Sequence, residues 1–370
     1  MKIEQVELRR LHVPLKAAFE TSFGRFTYRD CILVGVSGEG ETGYAESVAM
    51  PTPYYNEEMT DTVHYMLQHF LIPQLLGQHI EKPEQTSELF APVRRNYMAI
   101  SALEGAVWDL LCKAQGISLA SALGGTRTEI DVGVSIGIEA SADDVLRNVE
   151  RFLGEGYKKI KVKIKPGFDI ELIDAIRSRF GADVPLMADA NSAYTLDQID
   201  LLKRLDPYGL MMIEQPLAHD DIVDHAKLQR EIATPICLDE SIHSVEDARK
   251  AIELGSCRII NLKIGRVGGL THTKRIHDLC MQHGIPVWCG GMFEMGVGRA
   301  HNIALASMPN FTLPGDTSAS NRHFAEDIVE PAVDFSRPGT MAVPTKPGIG
   351  YELNRKVVEK YTVSNLVFKS

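Results

Sequence analysis

From residue 130 onward, short apolar runs return at a nearly constant pitch with helix-patterned segments between them, and that rhythm admits few folds. The runs are IDVGVSIG (130–137), IKVKI (160–164), VPLMADAN (184–191), GLMMIEQP (209–216), TPICLDES (234–241), CRIINLKI (257–264) and IPVWCGG (285–291), with NFTLPGD (310–316) as an eighth. Segments such as 245–255 and 272–284 carry helical periodicity between them. Strands alternating with helices in this way form parallel βαβ units, and seven or eight in succession close into a barrel. The expected architecture is α/β: a closed β/α barrel of the TIM type over 126–325. Residues 1–125 read differently. Two extended stretches, the second containing a GEGETG turn, precede helical patterns at 56–76 and 98–116, giving an α+β capping domain. The tail, 326–370, is expected to return to that cap.

Charged residues interrupt the apolar runs at one place in each. Lys163, Asp189, Glu214, Asp239 and Lys263 lie near the C-terminal ends of successive runs, at intervals of 26, 25, 25 and 24 residues. Active sites of such barrels are built at that end. Any one of the acids alone reads as a helix N-cap. Three on consecutive buried strands repel one another unless a cation lies between them. Asp189, Glu214 and Asp239 are therefore expected to hold a metal ion. The donors are all oxygen, which selects Mg²⁺, with Mn²⁺ able to substitute. Lys161 and Lys163 fall two apart and share one strand face, with Val162 on the other. They are expected to point into the barrel, across its mouth from Lys263, where two amines can move a proton on opposite faces of one carbon. Lys158, Lys159 and Lys165 read as solvated ends. Glu240 reads either as a neighbour of the metal ligands or as a surface charge.

Composition excludes other classes. The formal net charge is −10 with no long Lys/Arg run, which disfavours nucleic acid. No apolar stretch is long enough to span a membrane, and the first residues alternate like a strand rather than a signal peptide. Six cysteines lie scattered without a C-x-x-C pair and are expected to be buried free thiols in a cytoplasmic protein.

These residues carry a resemblance. K-x-K, Asp, Glu, Asp and Lys on successive strands resemble the enolase superfamily in its muconate-lactonizing subgroup. The blocks TSFG (21–24), PTPYYNEE (51–58), ALEGAVWD (102–109), MADANSAYTL (187–196), IEQPL (213–217), ICLDES (236–241), GRVGG (265–269), VWCGGM (287–292) and LPGDTSAS (313–320) resemble its o-succinylbenzoate synthase / N-succinylamino acid racemase family. The resemblance implies a (β/α)₇β barrel of the TIM type with an N-terminal α+β capping domain, and Mg²⁺-dependent α-proton abstraction from a small carboxylate. The product is o-succinylbenzoate, on the route to menaquinone, or the opposite enantiomer of an N-succinylamino acid. A muconate-type cycloisomerase or another epimerase of the subgroup is the alternative, and a silent binding homologue or a metal-independent barrel lies further off. By the same resemblance Lys163 is the base, Lys161 assists it and Lys263 serves the other face. Phe19, Phe23 and Tyr55 close over the substrate, Ser135, Asn191, Gly291 and Met292 line the pocket, and Arg266 supports Lys263. A homo-oligomer is implied. Asp316-Thr317-Ser318 stands where dipeptide epimerases carry D-x-D, and Ile264, Met295 and Ile100 depart from the family pattern.

Overall fold

The computed structural model describes residues 1–21 and 24–370; Phe23 lies outside them. Strands β1 (Gln5–Thr21), β2 (Gly24–Gly38) and β3 (Glu41–Glu46) form an antiparallel sheet, joined on the far side of β1 by a C-terminal strand, Thr362–Lys369. Glu39 and Gly40, both at positive φ, make the β2–β3 turn at the expected GEGETG. Strand alternation divides this sheet between two cores. Val6, Leu8, Ile32, Val34 and Val36 pack with the cap helices, whereas Leu11, Val13, Cys31 and Leu33 belong to the core of the barrel. β1 and β2 thus bury side chains on both faces, and cap and barrel share them.

The long cap helix, Tyr97–Ala114, is buried along nearly its whole length and lies on β3. Contact is close enough that a Cβ at Gly43 would meet the Ala106 carbonyl oxygen at 2.1 Å, so only glycine fits there. The stretch expected as one helix over 56–76 is broken into Thr60–Met66, a π turn at Leu67–Leu71, and Ile72–Leu75.

Seven parallel strands follow in strict neighbour order: Val134–Ile136, Ile160–Lys163, Leu186–Asp189, Ile213–Glu214, Ile236–Leu238, Ile259–Leu262 and Val287–Cys289. The helices between them turn an apolar stripe inward. In Ala142–Gly154, capped by Ser141, the buried side chains are Val145, Leu146, Val149 and Phe152, one face at helical spacing. Two expectations need correction. The run 130–137 is not one strand: Glu129–Asp131 pairs antiparallel with Thr340–Ala342 outside the barrel, and only Val134–Ile136 is a stave. The eighth run is not a regular strand either. It closes the barrel through a bridge from Val132 to Gly315 and bonds from Gly133 N to Gly315 O (2.6 Å) and Asp316 N to Cys289 O (2.8 Å). Pro314 has no N–H to give a ladder there, which explains the irregularity. All six cysteines are free and buried. No helix among the described residues is long and apolar enough to cross a membrane.

Candidate active site

Strand register brings the charged residues level. Lys163 stands opposite Asp189, and Asp189 opposite Glu214, on three adjacent strands. Lys161, Lys163, Asp189, Glu214, Asp239 and Lys263 are all buried at the C-terminal mouth of the barrel. Lys163 Nζ lies 2.6 Å from Asp189 Oδ2 and 2.5 Å from Asn191 Oδ1. Lys161 Nζ reaches Asp316 (2.5 Å), Glu214 (3.1 Å) and Asp189 (3.5 Å). On the other side Lys263 Nζ donates to Asp239 Oδ2 (2.8 Å) and to the Tyr55 hydroxyl (3.0 Å), which the cap supplies. Gly290 makes room for that lysine: a Cβ there would meet Lys263 Cε at 2.7 Å and Asn261 Oδ1 at 2.4 Å.

Around this core a frame holds the carboxylates. Arg266 is fully buried and binds Asp239 through Nη1, donating also to the carbonyls of Ile242 (2.7 Å) and Asn261 (2.6 Å). It therefore meets Lys263 through the carboxylate they share. Asn261 donates to Glu214 Oε1 (2.7 Å), and Gln215 Oε1 accepts from Asp239 N (3.0 Å). Glu240 is buried, takes one bond from Asn191 Nδ2 (2.9 Å), and leaves Oε2 without a donor. Asn191, Ser192 and Gln215 hold positive φ directly after their strands, where the chain must turn sharply over the mouth.

Charge explains the proton affinities. Burial pushes the Asp189 carboxyl up, but the ammonium groups of Lys163 and Lys161 outweigh it and hold it well below the usual carboxylate range. Burial lowers Lys161 and Lys263. Asp316 and Glu214 around the first, and Tyr55 and Glu214 around the second, reverse that and raise both above the ordinary lysine value. Glu214 and Glu240 are raised by burial and by Asp189. Among the described residues no three metal-capable side chains are gathered into a ligand cage. Asp189, Glu214 and Asp239 are instead each turned onto an ammonium or guanidinium, the nearest available positive charge.

A cavity of about 100 Å³ remains between cap and barrel. Lys161, Lys163, Asp189 and Lys263 line one side of it; Ser135, Asn191, Gly291, Met292, Phe19 and Tyr55 also line it. It adjoins a larger hollow of about 670 Å³ that shares Tyr55 and Asn191 and is bordered by Glu240 and Lys165. Lys159 is a correction. Rather than a solvated end, it is fully buried on the same strand face as Lys161 and Lys163, with Nζ 3.1 Å from Asp316 Oδ1 and 3.5 Å from the centroid of the Trp288 ring. Parity with Lys161 was the signal that could have placed it. Asp316 was noted only as the place where dipeptide epimerases carry D-x-D, not as a partner of the lysines; Asn261 and Gln215 were not singled out, nor were Arg299, Arg322 and His323, which also line the cavity.

Comparison with known proteins agrees with this geometry. Residues 4–124 match the mandelate racemase / muconate lactonizing enzyme N-terminal domain, and residues 144–357 match the enolase C-terminal domain-like family. The chain belongs to the enolase superfamily. An o-succinylbenzoate synthase of Geobacillus kaustophilus is 57% identical over 98% of this chain and 96% of its own length. An N-succinylamino acid racemase of Thermus thermophilus is 51% identical over 98% of both chains. A crystal structure of an enolase-superfamily member from Listeria innocua superposes with a TM-score of 0.97 at 46% identity, covering 100% of this chain and 99% of that one. A dipeptide epimerase of Cytophaga hutchinsonii, solved with Mg and the dipeptide D-Ala-L-Val, gives a TM-score of 0.91 at 26% identity, covering 99% and 100%.

Proposed function

We propose that this enzyme removes the α-proton of a carboxylate substrate beside a divalent cation, acting as an o-succinylbenzoate synthase and as an N-succinylamino acid racemase. The observation that carries this reading is the pair of lysines, Lys163 and Lys263, lining one buried cavity from the second and sixth staves of the barrel. Relatives named for the two activities match the chain end to end, which supports both.

Asp189, Glu214 and Asp239 would hold the metal, and the site suits one. Its donors are hard oxygens, Glu240 Oε2 and Asn261 Oδ1 are buried without partners beside them, and the carboxylates already gather every positive charge within reach. Mg²⁺ is the ion of choice, as in the epimerase complex. When bound, it supplies positive charge next to the substrate carboxylate.

Lys163 takes the α-proton, and Lys161, kept charged by Asp316 and Glu214, hydrogen-bonds the carboxylate as negative charge builds on it. In dehydration Lys163 returns its proton to the departing hydroxyl, and Lys263 stays a cation opposite. In racemisation Lys263 delivers a proton to the other face. Tyr55 and Phe19 reach from the cap and exclude water. The test is direct assay of o-succinylbenzoate formation and of N-succinylamino acid racemisation by the Mg²⁺-loaded protein. Absence of both, with turnover of a muconate-type substrate, would overturn the assignment.

A further inference from the structure

Four lysines are buried among the described residues: Lys159, Lys161, Lys163 and Lys263. The last three line the cavity. Lys159 stands behind them, two residues before Lys161 on the same strand face, and at 0% exposed it is the deepest of the four. The mechanism gives it no task. Its surroundings are mostly apolar. The ammonium lies over the ring of Trp288, which packs in one cluster with Met187, Met212, Cys237 and Ile259. Its stem runs against Gly133, where an added Cβ would meet Lys159 Cε at 2.7 Å and Lys159 Cβ at 2.8 Å. An apolar side chain would fill such a space, whereas a buried lysine is costly there unless its charge is answered.

One carboxylate answers it. Asp316 Oδ1 lies 3.1 Å from Lys159 Nζ, and neither atom has a hydrogen-bond partner elsewhere. The other oxygen, Oδ2, lies 2.5 Å from Lys161 Nζ, closer than Glu214 at 3.1 Å or Asp189 at 3.5 Å. Asp316 is thus divided between two ammonium groups, one lining the cavity and one behind it. Burial lowers Lys159, and Asp316 acts against that; the face of Trp288 favours the same charged form. Asp316 belongs to the irregular closing segment rather than to a regular strand, and the two lysines are the ion-pair partners that direct its carboxylate.

An ammonium has three N–H donors. Of the three carboxylates around Lys161, Glu214 and Asp189 are proposed metal ligands, so Asp316 is the one left to compete with the substrate carboxylate for this lysine. We infer that Lys159 is a positioning residue: by holding Oδ1 of Asp316 it keeps that acid from turning both oxygens onto Lys161, and so leaves Lys161 free to hydrogen-bond the substrate carboxylate. The inference rests on the proposed function, in which Lys161 has that task. Without Lys159 the buried Asp316 has Lys161 as its one remaining ion-pair partner. A fully paired ammonium then has less to offer the negative charge that builds as the α-proton leaves.

The experiment follows α-proton exchange of N-succinyl-L-phenylalanine in D₂O by the Mg²⁺-loaded enzyme, on variants whose fold is checked by circular dichroism. Loss of one charge-assisted hydrogen bond in the transition state predicts a kcat about 10- to 100-fold lower in Lys159→Met. Lys159→Arg, which keeps a cation over the Trp288 ring, should stay within about threefold of the unmodified enzyme. The decisive variant combines Lys159→Met with Asp316→Asn. It removes both members of the pair, leaves no unanswered buried charge, and should bring kcat back to within about threefold of the unmodified enzyme. Unchanged kcat in folded Lys159→Met overturns the inference. So does a folded double variant as slow as Lys159→Met, since a lysine that acts by packing on Trp288 is missed equally whichever residue stands at position 316. A loss in Lys159→Arg as deep as in Lys159→Met assigns the effect to shape and overturns it too. If Lys159→Met does not fold, Lys159→Gln takes its place in the comparison, and a slow but folded double variant still refutes the role. No exchange by the unmodified protein would overturn the parent reading instead.

Discussion

At one end of the cavity the charges stand on regular strands or directly after them. Lys161, Lys163, Asp189 and Glu214 occupy barrel staves, and Asp239 and Lys263 follow theirs by one residue. At the other end Arg299 comes from a helix, and Ser318, Arg322 and His323 from the irregular stretch after the closing segment. The first end is rigid because the backbone ladder fixes which side chains face the axis. It is also neutral, since ammonium and carboxylate groups answer each other. The second is held by single side-chain contacts, such as Arg299 to Ser318, with the carboxylates of Glu294, Asp327 and Glu46 acting on that arginine from nearby. A barrel thus places its buried charges with precision and leaves the rest of the cavity wall to the segments hung on its rim.

That contrast can be broken experimentally. The largest effect is expected at the lysines: Lys163→Ala and Lys263→Ala should each lower racemisation and dehydration by about 10³-fold or more, read as kcat on Mg²⁺-loaded protein. If either variant keeps full synthase activity, the roles are misassigned. In D₂O, Lys263→Ala should still exchange the α-proton of one enantiomer, through Lys163. Stripping the metal with EDTA should abolish both activities, with Mg²⁺ or Mn²⁺ restoring them; persistent activity would remove the metal from the mechanism altogether.

A third experiment tests whether the lysine end is as tightly balanced as it looks. Burial raises the Asp316 carboxyl, but Lys159 and Lys161 outweigh it and bring it down to about 2. Lys159→Met leaves that buried acid short of one partner, and breaking such pairs costs about 3–5 kcal/mol. Chemical denaturation should report that loss, and adding Asp316→Asn should recover part of it. No loss would mean that Lys159 contributes nothing to the balance.

The smallest effect concerns the seam between cap and barrel. Glu46 on β3 caps the helix Gly296–Ala306, accepting from Met295 N (2.9 Å) and Gly298 N (2.7 Å). Burial raises its carboxyl to about 7, against the lowering effect of those two bonds. A carboxyl with a folded value above its unfolded one favours folding most when protonated, so its contribution declines as pH rises from about 4.5 toward 7. Glu46→Gln should flatten that decline in a Tm series across this range; an unchanged slope would place the titration elsewhere, Glu58 being the other buried carboxyl raised to about 7.

Legibility in the sequence followed the same division. Period-two alternation and a pitch near 25 residues exposed the staves, the three acids and the buried Lys163 and Lys263, because regular strands write their geometry into residue spacing. Lys159 was within reach of that logic, two residues before Lys161, yet its charge and its place at the start of the run suggested solvent. Arg299 and Arg322 left no such trace. The helix bearing Arg299 is buried along every residue from Gly296 to Ala306, so no apolar stripe marks which side chain faces the cavity. The turn bearing Arg322 has no period at all. For the proposed metal, spacing brings three acids to one level but does not set how their carboxylates orient, because that depends on side-chain torsions rather than on register.

The four-stranded sheet carries a consequence for biosynthesis. Residues 362–369 pair with β1, more than 340 positions earlier in the chain, while the entire barrel is made in between. On a ribosome the first strand therefore leaves the tunnel long before its edge partner exists. β1 has only β2 beside it until the final strand emerges, and the edge that will receive residues 362–369 stays open through synthesis of every stave. The sheet that cap and barrel share gains this edge strand only after every stave has been made, so a nascent chain holds Lys161, Lys163 and Lys263 before it holds residues 362–369.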